Sequence, residues 1–138
     1  MANVLILEDD DALRRMLAYV LEEEGHLVTE GDSGLIVRDP DVLENIDVLI
    51  TDIHMPQGDG LGAVLFAKKA RPDLKIITMS GGGDVDKRDY LPSSLHLGAS
   101  RFLRKPFEFE EMAGCVREVL TLEHARLHAD DGDPRKID

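Results

Sequence analysis

The sequence predicts an α/β protein in which a five-stranded parallel sheet is covered by five helices on both faces. Apolar runs without alternation, such as residues 4–7 and 48–50, are typical of strands buried on both faces. Segments with apolar residues at helical spacing alternate with these runs along the chain, and such alternation requires crossover connections between parallel strands. The length of 138 residues fits one compact domain.

The first strand, residues 4–7, ends abruptly in an acidic run. Apolar residues then recur on one helix face from Leu13 to Leu21, and Gly25 is placed to end that helix. A short strand follows at residues 27–29. Beyond a glycine-containing turn, residues 35–45 predict a weak second helix.

The third strand, residues 47–52, repeats the first pattern and ends in Asp52. After a loop, residues 61–70 predict an amphipathic helix that stops before Pro72. This strand and helix form the third unit of the alternating pattern.

Residues 74–79 and 101–104 predict the fourth and fifth strands. The segment between them, residues 84–97, contains Pro92, which predicts an irregular or short fourth helix. The last helix is expected to begin near Glu108 and to run on into a polar tail.

Polar side chains follow the ends of four of these strands. They are Glu8 and Asp9, Asp52, Ser80, and Lys105. Because the carboxyl ends of parallel strands share one edge of the sheet, we expect these side chains to meet there. Clustered carboxylates repel each other, and a hard cation such as Mg²⁺ or Mn²⁺ relieves that repulsion.

A lysine, a hydroxyl and open glycine amides beside a carboxylate are the groups that hold a phosphoryl group. Each feature alone has a plainer interpretation: a helix cap for the aspartates, a loop for Ser80, a solvated side chain for Lys105. Their joint placement at four strand ends favours the site. Asp10 is left open between metal support and helix capping.

Five segments carry a resemblance to a known family. They are LEDD at 7–10, TDIHMP at 51–56, MSGG at 79–82, LGA at 97–99 and FLRKPF at 102–107. In this order they resemble the receiver domain of two-component response regulators, over about residues 3–122. The resemblance implies a doubly wound, flavodoxin-like fold. Because no effector domain follows residue 122 in this sequence, we expect either a single-domain, stand-alone regulator or a segment of a longer one.

The resemblance also implies a role for each site residue. Asp52 corresponds to the phosphoacceptor and to a metal ligand, Asp9 to a direct metal ligand and Glu8 to a ligand acting through water. The backbone carbonyl of His54 corresponds to a further ligand of the cation, Mg²⁺ or Mn²⁺. The family pattern gives Lys105 the phosphoryl oxygens as its partners.

Three further positions complete the family pattern. Ser80 corresponds to a hydroxyl switch, Gly81 to a backbone amide facing the phosphoryl group, and Phe102 to an aromatic switch. Phosphorylation is then expected to repack the face made by the fourth helix, fifth strand and fifth helix, where a downstream protein binds.

The expected function is that of a signalling switch, phosphorylated on Asp52 by a histidine kinase or a histidine phosphotransfer protein, and not that of an enzyme. One alternative is a receiver-like module that acts without phosphorylation. Another is a metal-dependent phosphohydrolase, which would need a second acid close after Asp52, and only His54 is available there.

The expected organisation is a receiver domain at residues 1–122, followed by a helix extension and polar tail at residues 123–138. The chain between Ser80 and Gly98 is about three residues longer than in common receivers. We also hypothesise that His54, at the mouth of the site, affects attack of water on the acyl phosphate.

The net charge is −12, from 16 basic and 28 acidic residues, which disfavours nucleic acid and anionic membranes as direct partners. Cys115 lies among apolar residues at helical spacing and predicts a buried structural thiol in a reducing, cytoplasmic setting. Four histidines are expected at the surface: His26, His96, His124 and His128.

Overall fold

The five predicted strands form one parallel sheet. The computed structural model describes residues 1–55, 60–81 and 95–129, with side chains described as far as residue 121. The strands are β1 (Asn3–Leu7), β2 (Leu27–Gly31), β3 (Val48–Asp52), β4 (Lys75–Ser80) and β5 (Arg101–Arg104). They lie in the order β2-β1-β3-β4-β5, and every pair is parallel. The predicted fold class is confirmed.

Strand β2 lies on one side of β1, and β3 lies on the other. The direction in which successive strands are added to the sheet therefore reverses at β1. In doubly wound sheets this reversal opens a crevice at the carboxyl ends of the two central strands. The strand register places Leu7 of β1 beside Thr51 of β3 at that edge.

Helices cover both faces of the sheet. They are α1 (Asp11–Glu23), a 3-10 helix (Gly34–Arg38), α2 (Pro40–Glu44), α3 (Gly60–Ala70) and the C-terminal helix (Phe109–Ala129). A helical turn occupies residues 95–97. The rest of the predicted fourth helix, with Pro92, lies outside the described residues, as do residues 56–59 and the tail at 130–138.

Asp10 caps helix α1. Its side chain accepts a hydrogen bond from the Leu13 amide at 3.2 Å, which satisfies one of the amides that a helix start leaves without a partner. At the other end, Gly25 adopts φ +95°, a conformation that glycine tolerates best. The capping interpretation of Asp10 is thereby confirmed.

The prediction of one helix over residues 35–45 was wrong, because the chain forms the 3-10 helix and then α2. Pro40 lacks an amide hydrogen and disfavours a helical conformation at the residue before it. Asp39 is accordingly extended, with ψ at 113°, and its side chain caps α2 through the Asp41 amide at 3.0 Å.

The core consists of two apolar layers, one on each face of the sheet. The first joins the sheet to α1 and the C-terminal helix, and the second joins it to the 3-10 helix, α2 and α3. Cys115 is buried in the first layer, as predicted, and burial raises the pKa of its thiol to about 11.

His26 is buried, so the prediction that it lies at the surface was wrong. The turn after α1 folds back over the start of β1, and His26 Nδ1 accepts a hydrogen bond from the Ala2 amide at 3.1 Å. Burial, with the nearby positive amino terminus, lowers the pKa of this imidazole. His96 is exposed, and the side chains of His124 and His128 lie outside those described.

Within the described residues, no helix combines the length and the apolar character needed to cross a membrane.

Candidate functional site

Three carboxylates meet at the carboxyl edge of the sheet. Glu8 follows β1, Asp9 follows it in turn, and Asp52 is the last residue of the neighbouring strand β3. One oxygen from each of the three lies within 4.8 Å of the others. Glu8 and Asp52 are buried, whereas Asp9 is exposed. We call Glu8, Asp9 and Asp52 the acidic cluster.

Lys105, which follows the edge strand β5, contacts the acidic cluster. Its Nζ donates to Glu8 Oε1 at 2.6 Å and to Asp52 Oδ2 at 2.5 Å. Burial acts to lower the pKa of this lysine, but its hydrogen bonds to Asp52 and Glu8 outweigh that effect, so the pKa is raised. The ammonium therefore remains charged between the two buried carboxylates.

Backbone hydrogen bonds continue the sheet beyond its strand ends and hold these side chains in place. The Ile53 amide, just after Asp52, donates to the Met79 carbonyl at 3.0 Å, and the Lys105 amide donates to the Ser80 carbonyl at 2.7 Å. The peptide bond between Lys105 and Pro106 is cis. The edge is thus a continuation of the strand ladder rather than a set of independent loops.

Both carboxylate oxygens of Asp52 have hydrogen-bond donors. Lys105 contacts Oδ2, and the His54 backbone amide donates to Oδ1 at 2.8 Å. His54 itself is exposed. These donors fix the orientation of the carboxylate before any ligand arrives.

The charged form of Asp9 is disfavoured within the acidic cluster. Its pKa is raised first by the partial desolvation of its carboxyl group, and then by a hydrogen bond with Glu8 and by the negative charge of Glu8. A backbone hydrogen bond and the positive charge of Lys105 act in the opposite direction but do not cancel these effects. One lysine does not balance three carboxylates.

The donor set of the acidic cluster fits a hard divalent cation. All three side chains offer oxygen, the ligand atom that Mg²⁺ and Mn²⁺ prefer, and the cluster carries excess negative charge. Among the described residues, no histidine nitrogen or cysteine sulfur belongs to this cluster.

Two positions that support the site were missed in the sequence. The Arg14 guanidinium donates to the backbone carbonyl of Glu8 at 2.7 Å and also pairs with Glu30, so α1 and β2 together hold Glu8. Gly60 begins α3 so close to β3 that a Cβ would collide with the carbonyl oxygen of Asp52. Neither position carries a local sequence signal for these contacts.

The remaining predicted residues lie on β4 and β5. Ser80 is buried at the end of β4, and Gly81 is exposed beside it. Phe102 is half-buried on the edge strand β5, with the Arg104 guanidinium carbon 5.5 Å from its ring centroid. Phe102 lies opposite Thr78 in the register, two residues before Ser80.

The sequence matches the model of the family described as "Response regulator receiver domain" over residues 4–117. The chain belongs to the response regulator receiver family. The response regulator receiver protein CpdR of Brucella abortus is 32% identical over 120 residues, which cover 87% of this chain and 98% of CpdR.

Other relatives match this chain over only part of their own length. The sensor kinase CckA of Brucella abortus is 33% identical over 86% of this chain but only 12% of its own length. The transcriptional regulatory protein FixJ of Azorhizobium caulinodans is 33% identical over 85% of this chain and 54% of its own. The chain therefore spans about half or less of these two relatives.

Solved receiver domains share the fold. A receiver domain protein from Clostridium thermocellum superposes with a TM-score of 0.78 at 25% identity, covering 91% of this chain and 98% of that one. The beryllofluoride-activated NtrC4 receiver domain dimer gives 0.75 at 29% identity, covering 88% and 98%. The receiver domain described here thus belongs to two-component systems, in a family whose members generally act as switches.

Proposed function

We propose that this receiver domain is a phosphoacceptor switch in which Asp52 takes a phosphoryl group from a phosphohistidine donor. A bond forms between an Asp52 carboxylate oxygen and phosphorus, and the bond between phosphorus and the donor nitrogen breaks. The donor is a histidine kinase or a histidine phosphotransfer protein. The observation that carries this proposal is the buried Asp52 held between Lys105 and two further carboxylates.

Lys105 prepares Asp52 for the reaction. In the unphosphorylated protein its Nζ offsets the negative charge of an Asp52 carboxylate oxygen. After transfer, the same ammonium can pair with a phosphoryl oxygen. The His54 amide keeps the other carboxylate oxygen oriented. Most of the work in phosphoryl transfer is positioning and charge neutralisation, so prior orientation by these donors favours the reaction.

The acidic cluster would hold a Mg²⁺ or Mn²⁺ ion, with Asp9 and Asp52 as direct ligands, Glu8 acting through water and the His54 carbonyl as a further ligand. Such an ion supplies positive charge for the phosphoryl oxygens. Without it, a phosphoryl dianion would have to approach three carboxylates, of which Lys105 pairs with two.

Ser80 and Gly81 would receive the remaining phosphoryl oxygens through a hydroxyl and a backbone amide. The hydrogen bond from the Lys105 amide to the Ser80 carbonyl joins the end of β4 to the start of the loop after β5. A movement of Ser80 would therefore act on β5, which carries Phe102. A phosphoryl group can shift the equilibrium between two conformations of β5 only if it makes different contacts in each of them.

The output of the switch would be the face that contains β5 and the C-terminal helix. The curated relatives include a sensor kinase, a transcriptional regulator and a receiver protein, so the same domain serves several outputs. A downstream protein that binds this face is our proposal for the partner.

His54 is proposed to influence the lifetime of the phosphorylated state. It is an exposed residue two positions after Asp52, and its side chain would block or orient a water molecule there. His54→Ala should therefore change the first-order rate of phosphate loss. An unchanged rate would remove His54 from the mechanism.

The proposal is tested by intact mass after incubation with acetyl phosphate, with and without Mg²⁺. Wild type should gain one phosphoryl group only when Mg²⁺ is present, and Asp52→Asn should gain none. Asp32→Asn is the matched control, since Asp32 is an exposed aspartate just after β2 at the same edge of the sheet, and this variant should behave as wild type.

Two results would contradict the proposal. Failure of folded wild type to gain mass or to bind beryllofluoride would favour a receiver-like module that acts without phosphorylation. Turnover of phosphate esters that depends on Asp52 and Mg²⁺ would favour a phosphohydrolase.

A further inference from the structure

The polar groups of Glu8 have partners on several elements of the fold. Its amide donates to the Gly31 carbonyl at 3.0 Å, which extends the ladder between β1 and β2. Its carboxylate oxygens accept from Lys105 at 2.6 Å and from the Asp10 amide at 3.1 Å. Its carbonyl accepts from Arg14 Nη1 at 2.7 Å. Arg14 therefore acts on the backbone that leads from Glu8 to the next residue.

The Arg14 contact also determines how the chain enters Asp9. The Glu8 carbonyl and the Asp9 amide belong to one planar peptide group, which rotates as a unit. A bond that fixes the carbonyl therefore fixes the direction in which the Asp9 side chain leaves the backbone. Asp9 is the exposed member of the acidic cluster, whereas Glu8 and Asp52 are buried. Packing restricts the two buried side chains, so the orientation of Asp9 depends more on its backbone.

Three acceptors hold the Arg14 guanidinium in place. Besides the bond to the Glu8 carbonyl, Nε donates to Glu30 Oε1 at 3.3 Å and Nη2 donates to Asp11 Oδ1 at 2.7 Å. The Arg14 side chain is 14% exposed, and a planar guanidinium presents its donors in a fixed arrangement. Helix α1 supplies Arg14 and Asp11, and β2 supplies Glu30. The packing of α1 beside β2 thus sets the peptide plane that precedes Asp9.

We propose that Arg14 is a positioning residue for the divalent cation, because it fixes the peptide plane between Glu8 and Asp9 and so orients the Asp9 carboxylate. Arg14 is not itself a ligand. This inference rests on the proposed binding of Mg²⁺ at the acidic cluster. Loss of a group that orients a metal ligand commonly weakens metal affinity by about 10–100-fold. We expect a loss of about tenfold, since Glu8 keeps its other contacts.

Charge alone predicts a change of the opposite sign. A positive side chain near the acidic cluster repels Mg²⁺, so removal of an arginine would leave the Mg²⁺ affinity unchanged or increase it. Arg15 provides the matched control because it follows Arg14 on α1 and also pairs with Glu30, at 3.0 Å. Its side chain is 74% exposed, and its hydrogen bond is made to Glu30 and not to the Glu8 backbone.

The test is a titration of the ¹⁵N-labelled protein with MgCl₂ at constant ionic strength, with the amide signals of Asp9, Asp10 and Asp52 as the readout. Wild type, Arg14→Gln and Arg15→Gln are compared. Arg14→Gln should bind Mg²⁺ about tenfold more weakly than wild type. Arg15→Gln should bind it at least as tightly as wild type. The dissociation constant is read from signals of the folded protein, so a loss of global stability does not change it.

Arg14→Lys is the second variant. It keeps the positive charge but replaces the planar guanidinium by a single nitrogen, which cannot reproduce the bonds to the Glu8 carbonyl, Glu30 and Asp11 together. Arg14→Lys should therefore also weaken Mg²⁺ binding, by less than Arg14→Gln does. This variant carries the test if Arg14→Gln does not fold.

The outcomes separate the role of Arg14 from the proposed function. Absence of saturable shifts in wild type would overturn the metal site and this inference with it. If wild type binds Mg²⁺, an equal dissociation constant for Arg14→Gln, or for Arg14→Lys in its place, would overturn the role of Arg14 alone. Equal losses of affinity in Arg14→Gln and Arg15→Gln would do the same, and both results would leave the metal site standing.

Discussion

Asp9→Asn should stabilise the metal-free protein and remove its stabilisation by Mg²⁺. The raised pKa of Asp9 means that the folded state holds a proton on this group more tightly than the unfolded chain does. Stability is therefore lost as pH rises through the window above the ordinary value of 3.8, and the full cost is present at neutral pH. Asparagine has no charge and avoids this cost.

The repulsive part of this effect can be estimated from the distances within the acidic cluster. Two unit charges 4.8 Å apart repel by about 1 kcal/mol in water and by about 3.5 kcal/mol at an effective dielectric constant of about 20. Asp9 is exposed, and Lys105 attracts it, so the lower value applies. We expect Asp9→Asn to raise the free energy of unfolding by about 1 kcal/mol, or the melting temperature by about 4 °C.

The assay is urea denaturation near neutral pH at low salt, with EDTA and then with excess MgCl₂. Wild type should gain about 2.7 kcal/mol when free Mg²⁺ is about 100-fold above its dissociation constant, because only the folded state has the site. Asp9→Asn should gain far less. Asp32→Asn, at the same edge but outside the acidic cluster, should respond to Mg²⁺ as wild type does.

Either of two results would refute this reasoning. Destabilisation of the metal-free protein by Asp9→Asn would mean that neither desolvation nor repulsion of the charged carboxylate governs stability at this position. Equal stabilisation of wild type and Asp9→Asn by Mg²⁺ would mean that the cation binds elsewhere.

Three further predictions concern positions that support the fold. Gly60→Ala should cost about 1–3 kcal/mol of stability and slow phosphorylation, since its Cβ would displace the backbone of Asp52. Gly114→Ala, inside a helix, should stabilise by up to about 1 kcal/mol, since its Cβ would meet the Arg117 side chain at an ordinary contact distance of 3.6 Å. Urea denaturation of both variants tests this, and equal stability would contradict it. His26→Gln should reduce the loss of protein stability between about pH 7 and pH 5.5. Burial lowers the pKa of His26 in the folded state, so the wild-type protein loses stability as pH falls below the unfolded pKa near 6.5. Parallel curves of stability against pH for wild type and variant would exclude this role. Burial raises the pKa of Cys115 to about 11, so little reactive thiolate is present in the folded protein. Cys115 should therefore react with iodoacetamide far more slowly in folded than in urea-unfolded protein, as followed by mass. Equal rates would show that the thiol is accessible in the folded state.

Most of the site could be predicted because its chemistry lies at strand ends. An apolar run that stops at a carboxylate marks the carboxyl end of a buried strand, and the parallel arrangement brings such ends together. Glu8, Asp9, Asp52 and Lys105 were found in this way. The structure brings these four side chains together, but their roles remain predictions, as do those of Ser80 and the other switch positions.

Errors arose where one residue overrode a periodic pattern or where a turn met another strand. Pro40 divides the segment that apolar spacing alone presents as one helix. His26 is polar and follows a helix-ending glycine, which is typical of the surface, yet its turn folds over the start of β1. The residues around a turn do not indicate which distant segment of the chain packs against it.

The sequence by itself determined the alternation of strands and helices along the chain, the sign of the charge at the sheet edge and the family. Periodicity and composition carry that information because they reflect which side of each element is buried. Tertiary structure alone decided that Lys105 bridges Glu8 and Asp52, and that Gly60 contacts the strand end. Glu8 and Lys105 are 97 residues apart. The distance between these two side chains in space depends on how the crossover connections pack on the sheet. It cannot be read from any short stretch of sequence.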